Sequence, residues 1–395
     1  MRSVLVAAMI VAVLGQDAAA GPPDGIKLAT WNIQTLATPG RKVFDTSADR
    51  KQSDYEDLRV VEHSLDADVY ALQEISSPAA AALVFPPAEF TICITGQWQA
   101  DEKKLGPIYD FGSIEAQGIK PTCFDDANEP LPDTAVTAGL EPGKPDPLLA
   151  QYTAIAVRRS SGIKIDAVAD VARLGVAQND KGEQPGTFTV RNVRWGLDAT
   201  LSKGDEKFHL LVVHMKSGCF DGFLKKEWWA ATQDAWQREP KRDHPCEVYA
   251  RQLPALRTWL SARKASGDDF IVAGDLNRRL DLELLDKTNP DLWPIITGSQ
   301  TSETADDIAL THIPRDETIE TGKACWTGRP PAENVAIDFF VLSPGTEPSD
   351  WQTRVRKILF TETRRPDGTP ISGPGLDPKI EASRLSDHCP RVLSF

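Results

Sequence analysis

From residue 26 onward the chain alternates or runs apolar in short blocks, and the blocks end on polar side chains. In Ile26 to Ile33 (IKLATWNI), Ile26, Leu28, Thr30 and Asn32 share one face of an extended segment and Ala29, Trp31 and Ile33 share the other. That period of two predicts a strand with Asn32 near its end. Leu58, Val61 and Leu65 recur at spacings of three and four, which predicts a helix over Tyr55 to Leu65. It leads into a nearly continuous apolar run, Asp68 to Ile75 (DVYALQEI), closed by Gln73 and Glu74. Further strands are predicted at Tyr152 to Val157, Arg194 to Leu201, Phe208 to His214 and Ala336 to Ser343, with a short last strand after Asp387-His388. Tyr249, Leu253, Leu256 and Leu260 step along a second helix that Pro254 either kinks or divides. Its successor, Phe270 to Arg278 (FIVAGDLNR), is a buried strand running into a turn. If the strand geometry persists through Leu276, Asp275 and Asn277 face one site together. An Asx-turn closing the strand is the alternative.

Between Pro86 and Leu149 the periodic signal fades. Tyr109 to Leu149 carries Pro121, Pro130, Pro132, Pro142, Pro145 and Pro147, the mark of a long excursion within one domain, here taken as an insertion at about 109–149. It can border the site and set what enters.

The first twenty residues stand apart. Arg2, an apolar run from Val4 to Gly15 and the small residues Ala18 to Ala20 have the order of a secretory signal peptide cut after Ala20, leaving residues 21–395 as a single domain. A buried N-terminal helix is the alternative. The run is short for a membrane span, and no second stretch is long and apolar enough to cross a bilayer. Export changes how the six cysteines are read, because in an oxidising compartment an even number predicts disulfides. Of the fifteen pairings open to six cysteines, neighbour pairing would join Cys93 to Cys123 and Cys219 to Cys246. No CxxC spacing supports zinc or thioredoxin chemistry. A net charge of -13 means that any attraction to nucleic acid must come from a local patch.

Taken singly, the polar strand ends have ordinary explanations as turn residues or a hydrogen-bonded histidine. Taken together, Asn32, Glu74, His214, Asp275 with Asn277, Asp338, and Asp387 with His388 are tips of buried strands, and tips on one rim of a sandwich converge. Glu74, Asp275, Asp338 and Asp387 would repel one another unless a cation joined them, and oxygen ligands of this kind suit Mg²⁺, with Mn²⁺ or Ca²⁺ as substitutes. Two histidines add proton transfer near neutral pH. There is no P-loop, no GxGxxG after a strand, no serine elbow and no HExxH.

In sequence and order, TWN, LQE, VHMKS, GDLN, IDFF and SDHCP resemble the endonuclease/exonuclease/phosphatase superfamily. The resemblance covers Ile26 to Phe395. It implies a four-layer α/β sandwich, two mostly antiparallel sheets face to face with helices outside. It also implies that Glu74 ligates a divalent metal, helped by Asn32 and Asp387. His388, oriented by Asp338, would be general base or phosphate holder. Asp275 and Asn277 would bind phosphate oxygens and the nucleophile, His214 would stabilise or protonate the leaving oxygen, and Arg194 rather than Arg191 would clamp phosphate. Two departures stand out: Gln34 occupies a place where some nucleases carry a carboxylate, and no acidic partner of His214 is assignable in the Pro-rich stretch.

The activity implied is metal-dependent phosphodiester hydrolysis by an exported monomer, with DNA or RNA as the first substrate class. Lys216, Lys225, Lys226, Arg278 and Arg279 are candidates for a basic rim. A sphingomyelinase or lipid phosphatase is the alternative, and Trp228, Trp229 and Trp236 would then supply membrane contact. A non-catalytic binding protein with the same fold is the third reading; retention of both histidines and all the acids argues against it.

Overall fold

The computed structural model describes residues 25–41, 50–103, 117–125, 131–132, 151–181, 188–224, 243–285, 292–298, 308–314, 335–373 and 377–395. The expected leader, most of the Pro-rich excursion, Lys225, Lys226 and the three tryptophans of the loop after Cys219 lie outside them.

Fifteen strands are described: β1 (Lys27–Leu36), β2 (Val69–Ile75), β3 (Phe90–Ile94), β4 (Thr122–Phe124), β5 (Tyr152–Arg158), β6 (Lys164–Val171), β7 (Ala177–Lys181), β8 (Phe188–Asn192), β9 (Gly196–Lys203), β10 (Glu206–His214), β11 (Phe270–Asp275), β12 (Thr311–Ile313), β13 (Asp338–Leu342), β14 (Val355–Lys357) and β15 (Arg391–Ser394). They form a seven-stranded sheet in the order β14-β15-β1-β2-β5-β3-β4, a six-stranded sheet in the order β12-β13-β11-β10-β9-β6, and the separate pair β7-β8. The β1–β2 and β10–β11 pairs are parallel; their neighbours run antiparallel.

The period of two sorts the side chains into layers. Leu28 of β1, Val69 and Ala71 of β2, Leu210 and Val212 of β10, Ile271 and Ala273 of β11, and Phe340 and Leu342 of β13 fill the space between the sheets. Ala29, Trp31, Tyr70 and Leu72 face the other way and pack on Tyr55, Leu58, Val61 and Leu65 of helix α1 (Gln52–Leu65). On the far side, Leu211, Val213, Phe270, Val272, Phe339 and Val341 meet Tyr249, Leu253, Leu256 and Leu260 of the long helix Pro245–Ser266. The result is the expected four-layer sandwich, helix, sheet, sheet, helix. The long helix is continuous through Pro254, so the proline does not divide it. Among the described residues, no helix is long and apolar enough to cross a membrane.

Strands β3, β4 and β6 to β8 carry no strong sequence signal. Most residues of β6 are exposed or half-buried, so no apolar alternation marks it. β3 pairs with β4 so that Cys93 stands opposite Cys123, and the two form a disulfide. A second disulfide, Cys219–Cys246, ties the loop after β10 to the first turn of the long helix, and Cys389 is also disulfide-bonded. Both neighbour pairings considered from sequence are therefore present.

Gly274 of β11 lies tight against the backbone of β10. Its φ is +146°, and a Cβ there would lie 2.1 Å from the Val213 carbonyl oxygen. Only glycine fits that backbone and that spacing. Gly274→Ala is expected to destabilise the protein by about 2–4 kcal/mol, read as a lowered urea midpoint; a midpoint within error of wild type would refute the close-approach account.

Candidate active site

In the six-stranded sheet, His214 is the register partner of Asp275, and Asp275 is the register partner of Asp338. One transverse row thus lines up three polar side chains. Each has the parity of the inter-sheet residues below it: His214 follows Leu210 and Val212, Asp275 follows Ile271 and Ala273, and Asp338 precedes Phe340 and Leu342. The row is therefore the polar mouth of the apolar space between the sheets.

The seven-stranded sheet supplies the opposite lip. Asn32 continues the inner face of β1 and is fully buried. Strict alternation would send Glu74 toward α1, but its φ of +64° breaks the pattern, and its carboxylate meets the amide of Asn32. Asn32 Nδ2 donates to Glu74 Oε1 at 3.2 Å and to Asp275 Oδ2 at 3.1 Å, bridging the two sheets. Asn32 Oδ1 accepts the Gln34 N–H at 3.0 Å, which orients the amide with its nitrogen inward. The Thr35 N–H donates to Glu74 Oε2 at 2.9 Å.

A loop before β15 closes the third side. Ser386 Oγ donates to the Asn32 carbonyl at 2.5 Å and accepts the His388 N–H at 3.0 Å. His388 Nδ1 is 2.8 Å from Asp338 Oδ2, while its Nε2 lies 3.7 Å from Asp275 Oδ2 and 3.8 Å from Asp387 Oδ1.

Burial and crowding set the charges. Burial opposes a proton on His388, yet the carboxylates of Asp338, Asp275 and Asp387 outweigh it and raise its pKa well above the ordinary value. Burial, then the positive charges of Arg194 and His388, hold His214 well below that value. Its Nε2 accepts from Arg194 Nη2 at 2.9 Å, so the neutral ring carries its proton on Nδ1, which is buried with no partner among the described residues. Asp275 is pushed up to about 7, by burial first and by the Asp338 charge among its neighbours. Glu74 is raised by burial and then by the field of Asp387.

Glu74, His214, Asp275, Asn277, Asp387 and His388 line a cleft of about 420 Å³. Extended geometry ends at Asp275. The Asn277 N–H donates to Asp275 Oδ1 at 2.8 Å in an Asx-turn, Asn277 has a φ of +51°, and its Nδ2 donates to the Met215 carbonyl at 3.0 Å. The local-turn alternative therefore describes the backbone, and Asn277 reaches the cleft by the turn and not by strand parity. Arg194 touches His214 and donates to Gln151 Oε1 at 2.8 Å rather than lining the cleft.

The basic-rim candidates separate. Arg279 lines the cleft. Arg278 does not: it is buried, donates to the Cys219 carbonyl at 3.0 Å and the Gly222 carbonyl at 2.5 Å, and pairs with Glu283. Lys216 is half-buried. Ser217, Phe220, Val335 and Ile337 also line the cleft and were not foreseen. Ser217 closes the VHMKS motif and Ile337 opens IDFF, so adjacency to the motifs was the available signal; Phe220 and Val335 had none.

No family model matches the chain, and no curated protein matches it. Solved structures do. Those it is similar to include structures described as endonuclease/exonuclease/phosphatase proteins. The human Nocturnin catalytic domain is 13% identical with a TM-score of 0.41, 95% of each chain being covered. An endonuclease/exonuclease/phosphatase from Bacteroides vulgatus is 12% identical with a TM-score of 0.42, covering 94% of this chain and 98% of that one. The AP endonuclease LMAP from Leishmania major is 14% identical with a TM-score of 0.40, covering 94% and 87%.

The donor set fits a hard cation. Burial and the field of Asp387 raise Glu74, and Asp338 Oδ1 is buried with no partner among the described residues. Asp275, Asp338 and His388 bring ligand-type atoms within 4.8 Å of one another, but the short His388–Asp338 hydrogen bond commits that pair to each other. This leaves Glu74 and Asp387 as the carboxylates in need of a counter-charge.

The raised pKa of His388 has a stability consequence with a definite sign. A histidine held above its ordinary 6.5 contributes stability that is fully present below that pH and is lost as pH rises through the folded value. Asp338→Asn removes the nearest carboxylate. In metal-free protein its deficit in urea midpoint is expected to be largest near about pH 6 and to shrink on the alkaline side; a deficit constant with pH would contradict the ion pair.

Proposed function

We propose that this chain is an exported phosphodiester hydrolase of the endonuclease/exonuclease/phosphatase superfamily, dependent on a divalent metal and acting as a nuclease on DNA or RNA. The observation that carries the proposal is the meeting of Glu74, His214, Asp275, Asn277, Asp387 and His388 in one cleft, from strands and loops far apart in sequence. Export is supported by the apolar leader and by disulfide-bonded cysteines. Nucleic acid is favoured as substrate by the motif resemblance and by Arg279 at the cleft, a local cation on an acidic protein.

Glu74 and Asp387 would hold Mg²⁺, or Mn²⁺ or Ca²⁺ in its place, with Asn32 steering Glu74; the cation supplies Lewis-acid charge to the phosphoryl oxygens. The chain's own residues handle protons and position. Asp275, with a pKa of about 7, is the group able to take a proton from an attacking water, and His388, kept protonated and steadied by Asp338, is placed to donate to and hold a phosphate oxygen. Asn277 and Asp275 are the phosphate- and nucleophile-orienting pair. At the leaving-oxygen corner Arg194 carries the positive charge, because His214 is neutral and accepts from it. A ~10⁶-fold acceleration needs at least ~8 kcal/mol, and one acid–base group supplies ~10²–10⁴-fold, so these contributions act together.

Purified protein should cleave plasmid DNA or RNA with Mg²⁺ and lose that activity on chelation, with sphingomyelin and an artificial diester as comparison substrates. His388→Ala is expected to lose about 10³-fold or more in kcat while the folded circular dichroism spectrum persists. Wild-type rates in that variant would remove His388 from the mechanism, and cleavage of sphingomyelin alone would replace the nuclease reading with the lipid one.

A further inference from the structure

Arg50 lies just before α1, with 5% of its surface exposed. Among the described residues its guanidinium makes five hydrogen bonds, all to backbone carbonyls: Nη1 to Thr35 at 3.1 Å, Nη2 to Ile33 at 2.9 Å, Gln34 at 2.8 Å and Leu385 at 3.2 Å, and Nε to Arg384 at 3.0 Å. Two chain segments, more than three hundred residues apart, are thereby joined through a single side chain. Burial pulls its pKa down to about 10, which leaves it charged at neutral pH, and the fields of Glu74 and Asp387 are among those that support the charge.

Both segments carry the site. Gln34 and Thr35 have φ values of +39° and +52°, a conformation that side chains other than glycine rarely adopt. It is this turn that aims the Gln34 N–H at Asn32 and the Thr35 N–H at Glu74. Arg384 and Leu385 immediately precede Ser386, Asp387 and His388, and Ser386 in turn bonds the Asn32 carbonyl. A planar fork with donors on three nitrogens matches this set of carbonyls; a lysine ammonium, with three donors on one atom, cannot reach them all.

We infer that Arg50 is a positioning residue, holding the left-handed end of β1 against the Arg384–His388 loop so that Glu74 and the Asp387–His388 pair face each other across the cleft. The link to catalysis rests on the hydrolase reading above; the link to geometry does not.

The test uses full-length protein and two variants. In metal-free Arg50→Lys, amide exchange at Gln34, Thr35 and His388 is expected to quicken by at least about tenfold while Ile271 to Ala273 of β11 keep wild-type rates. Mn²⁺ affinity, followed by electron paramagnetic resonance, is expected to fall about 10–100-fold, and on the artificial diester kcat falls while KM stays near wild type. In Arg50→Gly, millimolar guanidinium should restore part of kcat and equimolar sodium chloride should not. Unchanged exchange and Mn²⁺ affinity in folded Arg50→Lys would overturn the proposal. So would exchange rising equally in β11, or both variants failing to fold even with guanidinium, since either makes Arg50 a general stabiliser. If wild-type protein neither binds Mn²⁺ nor cleaves any substrate, the hydrolase reading fails and the local exchange pattern alone decides the role of Arg50.

Discussion

Negative charge gathered at a largely buried cleft is the constraint on which this structure depends. Glu74, Asp275 and Asp387 line one cleft, Asp338 stands beside Asp275 and against His388, and such a group cannot be fully ionised without compensation. The fold compensates in several ways at once. The imidazole of His388 keeps a proton, Asp275 is raised to about 7, Asn32 donates to two carboxylates, and Arg194 and Arg50 add positive field without lining the cleft. A hard cation would complete the balance. That need, more than any single contact, is what makes the cleft chemically unusual.

Rigid elements deliver half of the site and strained ones the other half. His214, Asp275 and Asp338 lie side by side because strand register places them so, and Gly274 permits the approach. Glu74, Asn277, Gln34 and Thr35 depart from strand geometry, and all have positive φ. Left-handed backbone at non-glycine residues persists only where surroundings over-determine it. Here the surroundings are identifiable: the Asx-turn at Asp275, the Met215 carbonyl, and the Arg50 clamp. Departures from regular geometry therefore gather where oxygen atoms must be aimed.

The wall after β10 has its own supports. The Cys219–Cys246 disulfide anchors that loop to the long helix, and buried Arg278 bonds the Cys219 and Gly222 carbonyls while pairing with Glu283. Two neighbouring arginines thus do different work: Arg278 builds the wall and Arg279 faces the cleft. Arg279 also lies 5.9 Å from the Phe220 ring centroid and pairs with Asp221 at 2.5 Å, so its charge is oriented and not diffuse.

What local patterning could determine, it did. Parity along IKLATWNI groups Asn32 with Ile26, Leu28 and Thr30, and the apolar runs FHLLVVH and FIVAG mark buried strands ending near His214 and Asp275. Such patterns are properties of consecutive residues and need no partner; which face is inner was decided by the packed sheets. The spacing of α1 and of the long helix was legible for the same reason, while the four-layer fold was implied by the family resemblance that the ordered motifs carry. Exposed β6 left no such trace. Tertiary structure alone decided the turn of Glu74 against its parity, the Asx-turn route of Asn277, the parting of Arg278 from Arg279, and the work of Arg50, whose five acceptors lie 15 to 335 positions away. These depend on which backbone carbonyls and charges come to surround a side chain after the sheets have paired, and no periodicity along the chain encodes that.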